Sequence, residues 1–354
     1  MADTRTASTR IALNDPHGVL HRLCTHFAEH GAVTMTEHGG RIETEFGYAT
    51  LVPETGALRI EAGGTNDTAL YVVKMSVSEH VFLLAGEEVA AFTWSGDGSD
   101  QLRIPFFREM TVRRACNVTP LMRRVTLTGE DVAHFETGGL HVRVLIPPAG
   151  REPRWPEAAP DGRTLWPKGE DELTARVYTI RRIDHACREV DIDIVLHGDE
   201  AAPGSHWAST AAPGDRVGLM GPGGGEIAKA KRYVLAGDET ALPAIARITE
   251  GLPATVQATA FIEIANAAEE QPLASAARLE TVWLHRNGAA PGTTRHVEAA
   301  LRGADWSDSD DVFVFVGCEQ AAARNIRSFL QKERGLAKKN VLVAAYWNRG
   351  CQQE

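Results

Sequence analysis

The sequence predicts a multidomain chain: an N-terminal α+β domain, then an antiparallel six-stranded β-barrel, then an α/β doubly wound domain with a parallel sheet. Three observations predict it. Residues 1–95 mix two helical stretches with short alternating strands; residues 107–228 read almost wholly as strands; from 229 onward strands alternate with helices.

The first domain opens with a short strand. An amphipathic helix follows over 16–30, with Leu20, Leu23, Cys24 and Phe27 at helical spacing. Strand pieces at 41–46, 47–52 and 57–62 are bounded by Gly, Pro or Thr, and a second helix spans 67–84. The polar run Ser95-Gly96-Asp97-Gly98-Ser99-Asp100 marks a boundary, so residues 96–106 are expected to be a linker. Six strands at 110–116, 122–127, 140–146, 175–182, 190–196 and 216–220, with one short helix at 204–211, suit a small closed barrel. The Pro-, Gly- and Trp-rich insertion 147–169 reads as a long loop. In the last domain, strands at 232–236, 256–264, 280–284, 312–316 and 341–346 alternate with helices at 239–250, 294–302 and 319–334. Such a sheet binds ligands beyond the carboxyl ends of its strands.

Composition narrows the function. With a net charge of −10, the 354-residue chain lacks the basic footprint of a nucleic-acid binder. No apolar run approaches the roughly 18–20 residues that cross a bilayer, and the N-terminus carries no secretory signal. The five cysteines are scattered and form no CxxC pair, which points to a reducing, cytoplasmic setting. Residues 229–354 carry 15 basic and 15 acidic side chains in an otherwise acidic protein. Within them, Arg324, Arg327, Lys338 and Lys339 offer an anionic substrate its best local potential.

A barrel followed by a doubly wound domain is the arrangement of many reductases that pass a hydride from a nicotinamide to a flavin. The strand Arg176-Val177-Tyr178-Thr179 strengthens that expectation. Arg176 and Tyr178 share one strand face, and guanidinium is the natural bidentate partner of phosphate. Gly204 and Ser205 open a short helix whose amides suit a pyrophosphate. Asp238, Thr240 and Ala241 lie where the first strand of the last domain enters a helix. The acidic pair Asp238-Glu239 repels phosphate there, so contacts are expected through Thr240 and the backbone. The glycines 221–225 lack a strand–GxGxxG–helix context and are taken as a domain-joining loop.

The Arg176–Thr179 stretch resembles the flavin motif of the ferredoxin reductase superfamily. With Asp191-Ile192-Asp193-Ile194-Val195-Leu196-His197-Gly198, Pro203-Gly204-Ser205-His206-Trp207-Ala208 and Pro213-Gly214-Asp215, it resembles siderophore-interacting proteins. The likeness extends back through Val118–Gly129 and forward through Ala236–Ile245 to Tyr346–Gly350, covering about 107–351. It implies an FAD-binding barrel and an NAD(P)-binding-like α/β domain. It further implies an FAD-dependent oxidoreductase that takes electrons from NADH or NADPH to the iron(III) of a ferric siderophore. By the same resemblance Arg176 pairs with the FAD phosphates, Tyr178 stacks on the flavin and Thr179 reaches its N5 edge. Asp193, Val195, His197 and Trp207 then line the cofactor, and Trp347 belongs to its C-terminal contacts. No side chain is assigned acid–base or nucleophilic work. Cys318, Ala345 and Asn348 depart from the family's A-G-E and G-Y-W-R patterns. Another acceptor, a ferredoxin or other protein partner, and a non-catalytic siderophore-binding role remain alternatives.

Residues 23–30, Leu-Cys-Thr-His-Phe-Ala-Glu-His, resemble a helix of small bacterial domains of unknown function. Four ligands cannot converge from one helix, so no metal site is expected from His21, Cys24, His26 and His30 without partners such as His38 or His80.

Overall fold

The computed structural model describes residues 4–86, 89–196, 202–306 and 311–350. The chain falls into two compact units, Met1–Phe107 with Pro148–Glu172, and Arg108–Pro147 with Leu173–Glu354.

In the first unit the elements are β1 (Arg5–Ala12), α1 (Pro16–Phe27), β2 (Ala32–Thr36), β3 (Gly39–Thr44), β4 (Gly47–Glu54), β5 (Ala57–Gly64), α2 (Asp67–Ala85) and β6 (Ser95–Gly96). They build an antiparallel sheet in the order β2-β3-β4-β5-β1-β6. Both helices start where sequence chemistry demands: Asp15 accepts from Gly18 N and Asn66 from Ala69 N, supplying N-caps. Their apolar faces (Leu23, Phe27, Leu70, Val77, Val81) pack with Leu51, Leu58 and Ile60 of the sheet. By length and hydropathy α2 could cross a membrane, contrary to the expectation that no stretch could, yet Leu70, Tyr71, Val73, Val77 and Val81 are buried in this core. The expected linker is also different: Ser95 and Gly96 pair with β1, and Asp97 exchanges hydrogen bonds with Thr6. Its turn residues had signalled a boundary, but they close the edge of the sheet.

The second unit begins with β7 (Phe107–Thr119), β8 (Met122–Thr128) and β9 (His141–Ile146). The insertion that follows is not a free loop. It carries the short pair β10 (Glu157–Ala158) and β11 (Thr164–Leu165) and belongs to the first unit. Trp94 donates its indole N–H to the Asp161 carbonyl and to Ser78 Oγ, and Tyr71 bonds Thr164. Gly162 sits at φ +87°, and any Cβ there would strike the Trp94 ring, so the hairpin tip needs glycine to press home. Arg163 lies over Phe82 at 3.5 Å from the ring centroid.

The barrel is completed by β12 (Thr174–Asp184), β13 (Glu189–Val195), α3 (Pro203–Thr210) and β14 (Arg216–Gly223), and closes in the order β12-β13-β8-β7-β14-β9. Val190, Ile192 and Ile194 point into its core, as strand alternation requires. The remaining elements are β15 (Arg232–Gly237), α4 (Leu242–Gly251), β16 (Gln257–Ile264), β17 (Arg278–His285), α5 (His296–Gly303), β18 (Val312–Glu319), α6 (Gln320–Ser328) and β19 (Val341–Trp347). The five strands are parallel in the order β17-β16-β15-β18-β19. Connections therefore reverse between β15 and β18, the topological switch point where such sheets bind ligands.

Candidate functional site

β12 presents Arg176-Val177-Tyr178-Thr179. Val177 is 61% exposed, whereas Thr179, on the same side of the strand, is buried. The Arg176 guanidinium makes no ion pair among the described residues; it donates to the Ala175 carbonyl at 2.7 Å. Burial pushes the Tyr178 phenol up to about 12, against the pull of the Arg176 charge. Its hydroxyl lies so close to Gly204 that a Cβ there would come within 1.8 Å. Only glycine lets the first turn of α3 approach this ring. That turn has no side-chain N-cap, since Ala202 precedes it. An uncommitted guanidinium, a phenol ring and an uncapped helix turn thus stand together on one strand face, and they fit a dinucleotide's phosphates beside a flat ring.

The other barrel positions divide. Both Asp193 oxygens are held by Arg124, at 2.7 and 2.8 Å. The carboxylate therefore fixes β8 to β13 and does not stand free. Val195 packs with Met122 in the core of the α/β domain. Trp207 is only 7% exposed and packs in the barrel core with Val217 and Leu219. Ser205 is buried in the first turn of α3. His197 lies outside the described residues.

Beyond Thr179 the two domains of this unit meet. Tyr346 on β19 hydrogen-bonds Thr179 and, at 2.6 Å, His141 Nε2; Thr179 and His141 are themselves register partners. Burial, helped by the Arg247 charge, drives the His141 imidazole down to about 4, so it stays neutral at neutral pH. The next residue, Trp347, donates its indole N–H to Asp238 Oδ2 at 2.8 Å, and Thr240 donates to Asp238 Oδ1. The R-x-Y-T strand, the C-terminal Tyr-Trp pair and the Asp238 turn, far apart in sequence, therefore form one connected surface. His141 and Tyr346 were not identified from the sequence. Nothing local links residues 205 positions apart.

The turn at the switch point is closed by its own hydrogen bonds. The Thr240 and Ala241 amides both turn back onto Asp238, to its side chain and carbonyl, and Pro243 has no N–H. Ala241 is fully buried. In this structure the Thr240 and Ala241 amides thus close the turn on Asp238. The repulsion expected of Asp238-Glu239 is also relieved. Glu239 is clamped by Arg286 through two bonds of 2.6 Å, with Glu263 3.6 Å from the same guanidinium. Arg286 Nε remains buried without a partner. Cys318 is a core residue whose thiol is pushed up by burial, which keeps it protonated.

Burial, reinforced by Glu239, raises Asp238 to about 6. Its folded value exceeds its unfolded one, so the native state keeps the proton longer. Stability is then greatest at low pH on this account and falls as pH rises from about 4 to 6, by about 3 kcal/mol. Urea titrations across that range are expected to show this slope in the native sequence and to lose it in Asp238→Asn. Equal slopes in the two proteins would contradict the assignment.

The basic residues do not gather at this site. Lys338 and Lys339 immediately precede β19, whereas Trp347 ends it. A seven-residue strand separates them by roughly 20 Å, which puts both lysines at the amino edge of the sheet. Arg327 donates to the Val343 carbonyl and ties α6 to β19. Arg324 is exposed on α6. The four residues therefore take different places: the two lysines lie at the amino edge of the sheet, while Arg324 and Arg327 lie on α6, which starts where β18 ends. Among the described residues no group of three His, Cys, Asp or Glu is placed to hold a metal ion.

Comparison with known proteins agrees with this geometry. Residues 111–226 match the siderophore-interacting FAD-binding domain and 230–350 the siderophore-interacting protein family, while 8–95 match a family described as an uncharacterized protein conserved in bacteria. The ferric vibriobactin reductase ViuB of Vibrio cholerae is 31% identical over 245 residues, 67% of this chain and 88% of that protein. A siderophore utilization protein from T. fusca is 40% identical with a TM-score of 0.59, over 70% of this chain and 95% of that one. The siderophore-interacting protein SipS from Aeromonas hydrophila is 26% identical with a TM-score of 0.58, over 69% and 92%. With its barrel, its switch-point domain and these matches, the chain belongs to the siderophore-interacting protein family and is an FAD-dependent oxidoreductase.

Proposed function

We propose that the chain reduces the iron(III) of a ferric siderophore, drawing electrons from NADH or NADPH in the cytoplasm. The observation that carries this reading is the uncommitted Arg176 beside Tyr178 and the uncapped turn of α3, within a chain whose relatives include proteins named ferric vibriobactin reductase and ferric acinetobactin reductase. FAD, when bound, supplies the conversion of a two-electron donor into the single electrons that iron(III) accepts. The protein's own part is binding and orientation. Arg176 and the α3 amides would hold the phosphates, and Tyr178 would bound the ring. Thr179, braced by Tyr346 and neutral His141, would fix the edge of the flavin facing the α/β domain. None of these groups needs to change protonation during turnover. Reduction weakens a hard-oxygen chelate, because iron(II) binds such donors less tightly. A ferredoxin could replace the nicotinamide as donor without altering these roles.

The test is anaerobic. The purified protein should be yellow, bleach with NADH or NADPH, and recover its colour on adding a ferric siderophore while a chromogenic chelator traps iron(II). Iron release no faster than with free FAD would remove the siderophore from this reading, and a protein that never bleaches would remove catalysis.

A further inference from the structure

A cavity of about 600 Å³ opens in the first unit between α1, α2 and the hairpin of β3 and β4. Such a volume suits a small organic molecule. One wall is a run of flat rings: His26 lies 4.4 Å from His80 and 5.1 Å from His30, and Phe27 lies 4.9 Å from His80, centroid to centroid. Phe46 lies at its edge on the hairpin, while the Tyr48 ring turns to the other face of the sheet, under Arg41 and bonded to Glu61. No lysine or arginine lines the cavity and its one Asp, Glu, Lys or Arg is Glu45, so a phosphate or sulfate would meet no fixed positive charge and one negative one. The His26 and His80 planes are only 33° apart, and among the described residues no three His, Cys, Asp or Glu are grouped to hold a metal ion. The cavity is therefore shaped for a flat, largely uncharged ligand.

His80 supplies the polar specificity. Its Nδ1 is 2.7 Å from the Ser76 carbonyl. A carbonyl only accepts, so Nδ1 carries the hydrogen, and in the neutral ring Nε2 keeps a bare lone pair. The matching ligand needs an O–H to donate. We propose that this cavity binds a phenol or catechol ring in its protonated, metal-free form, stacked on the histidine–phenylalanine wall with a hydroxyl donated to His80 Nε2. A catechol that chelates iron(III) has surrendered those protons, so the site selects the iron-free ligand. Combined with the proposed reductase activity, on which this last step alone rests, that is the chelator left behind once iron has departed.

The test uses the full-length protein, calorimetry and catechol itself, and needs no turnover, so its outcome is independent of whether the chain reduces iron. Catechol is expected to bind with a Kd below about 1 mM, and 1,2-dimethoxybenzene, which has no O–H, about tenfold more weakly. His80→Phe keeps the ring wall but loses the acceptor and should weaken catechol about tenfold while melting within about 2 °C of the native protein. His80→Gln, which restores an acceptor oxygen, should recover part of the loss. No binding up to about 10 mM catechol, equal binding of the dimethoxy compound, or affinity indifferent to both His80 variants would overturn the proposal.

Discussion

Arg176→Ala is expected to yield a folded protein that has lost most of its grip on FAD. The guanidinium's hydrogen bond within the protein goes to the adjacent Ala175 carbonyl, so removing it should hardly change the melting of the apoprotein. A charge-assisted bond to phosphate contributes about 1.5–3 kcal/mol, so the Kd for FAD should rise about 10- to 150-fold. Arg176→Lys should fall between, because an ammonium keeps the charge but not the two-pronged geometry. Fluorescence titration of apoprotein with FAD measures both variants. Unchanged FAD affinity in Arg176→Ala would place the phosphates elsewhere.

A second large effect is expected at Trp94→Ala. Trp94 is 4% exposed, packs in the core of the first unit, and spends its indole N–H on Ser78 and the Asp161 carbonyl. Its loss should cost about 3–5 kcal/mol. Trp94→Phe should cost about 1–3 kcal/mol, the penalty of two acceptors left short of a donor. Urea unfolding followed by far-UV circular dichroism would measure both. The same contacts predict that deleting residues 1–95 gives a poorly soluble protein rather than a trimmed reductase. Residues 148–172 would lose the core on which Ala158, Ala159 and Arg163 rest. A soluble deletion protein with native stability would refute that.

The three-part architecture was legible because it is written in periodicity. Barrel strands and the alternating strands and helices of the last domain each leave a repeating apolar pattern, and the observed elements overlap the expected ones there, whereas β2 (Ala32–Thr36) in the first unit was not expected. The insertion was not legible. Strands of two residues, Glu157–Ala158 and Thr164–Leu165, are too short to show a period, and their packing partner lies upstream of the barrel. At the site, the Arg176–Thr179 strand could be recognised because its chemistry is local. The Thr179–Tyr346–His141 contact could not, since only tertiary folding unites those residues. Arg324, Arg327, Lys338 and Lys339 are neighbours in sequence, but α6 and the following turn place the two arginines on a helix and the two lysines at the start of β19. The same turn chemistry that suggested phosphate binding at Thr240 and Ala241 is used to close the turn upon Asp238.

The insertion of residues 148–172 into the N-terminal unit also sets an order on biosynthesis. A domain encoded first would ordinarily fold as soon as it clears the ribosome. Here Trp94 has no carbonyl from Asp161, and Phe82 no guanidinium from Arg163, until the first three barrel strands have been translated. The N-terminal unit must wait, incomplete, for a segment that starts about forty residues after Phe107, and the barrel in turn cannot close until that segment has been threaded out and back. The two units are therefore obliged to mature together, and a chain that stalls between Phe107 and Pro148 would present both as unfinished surfaces to the cell's quality control.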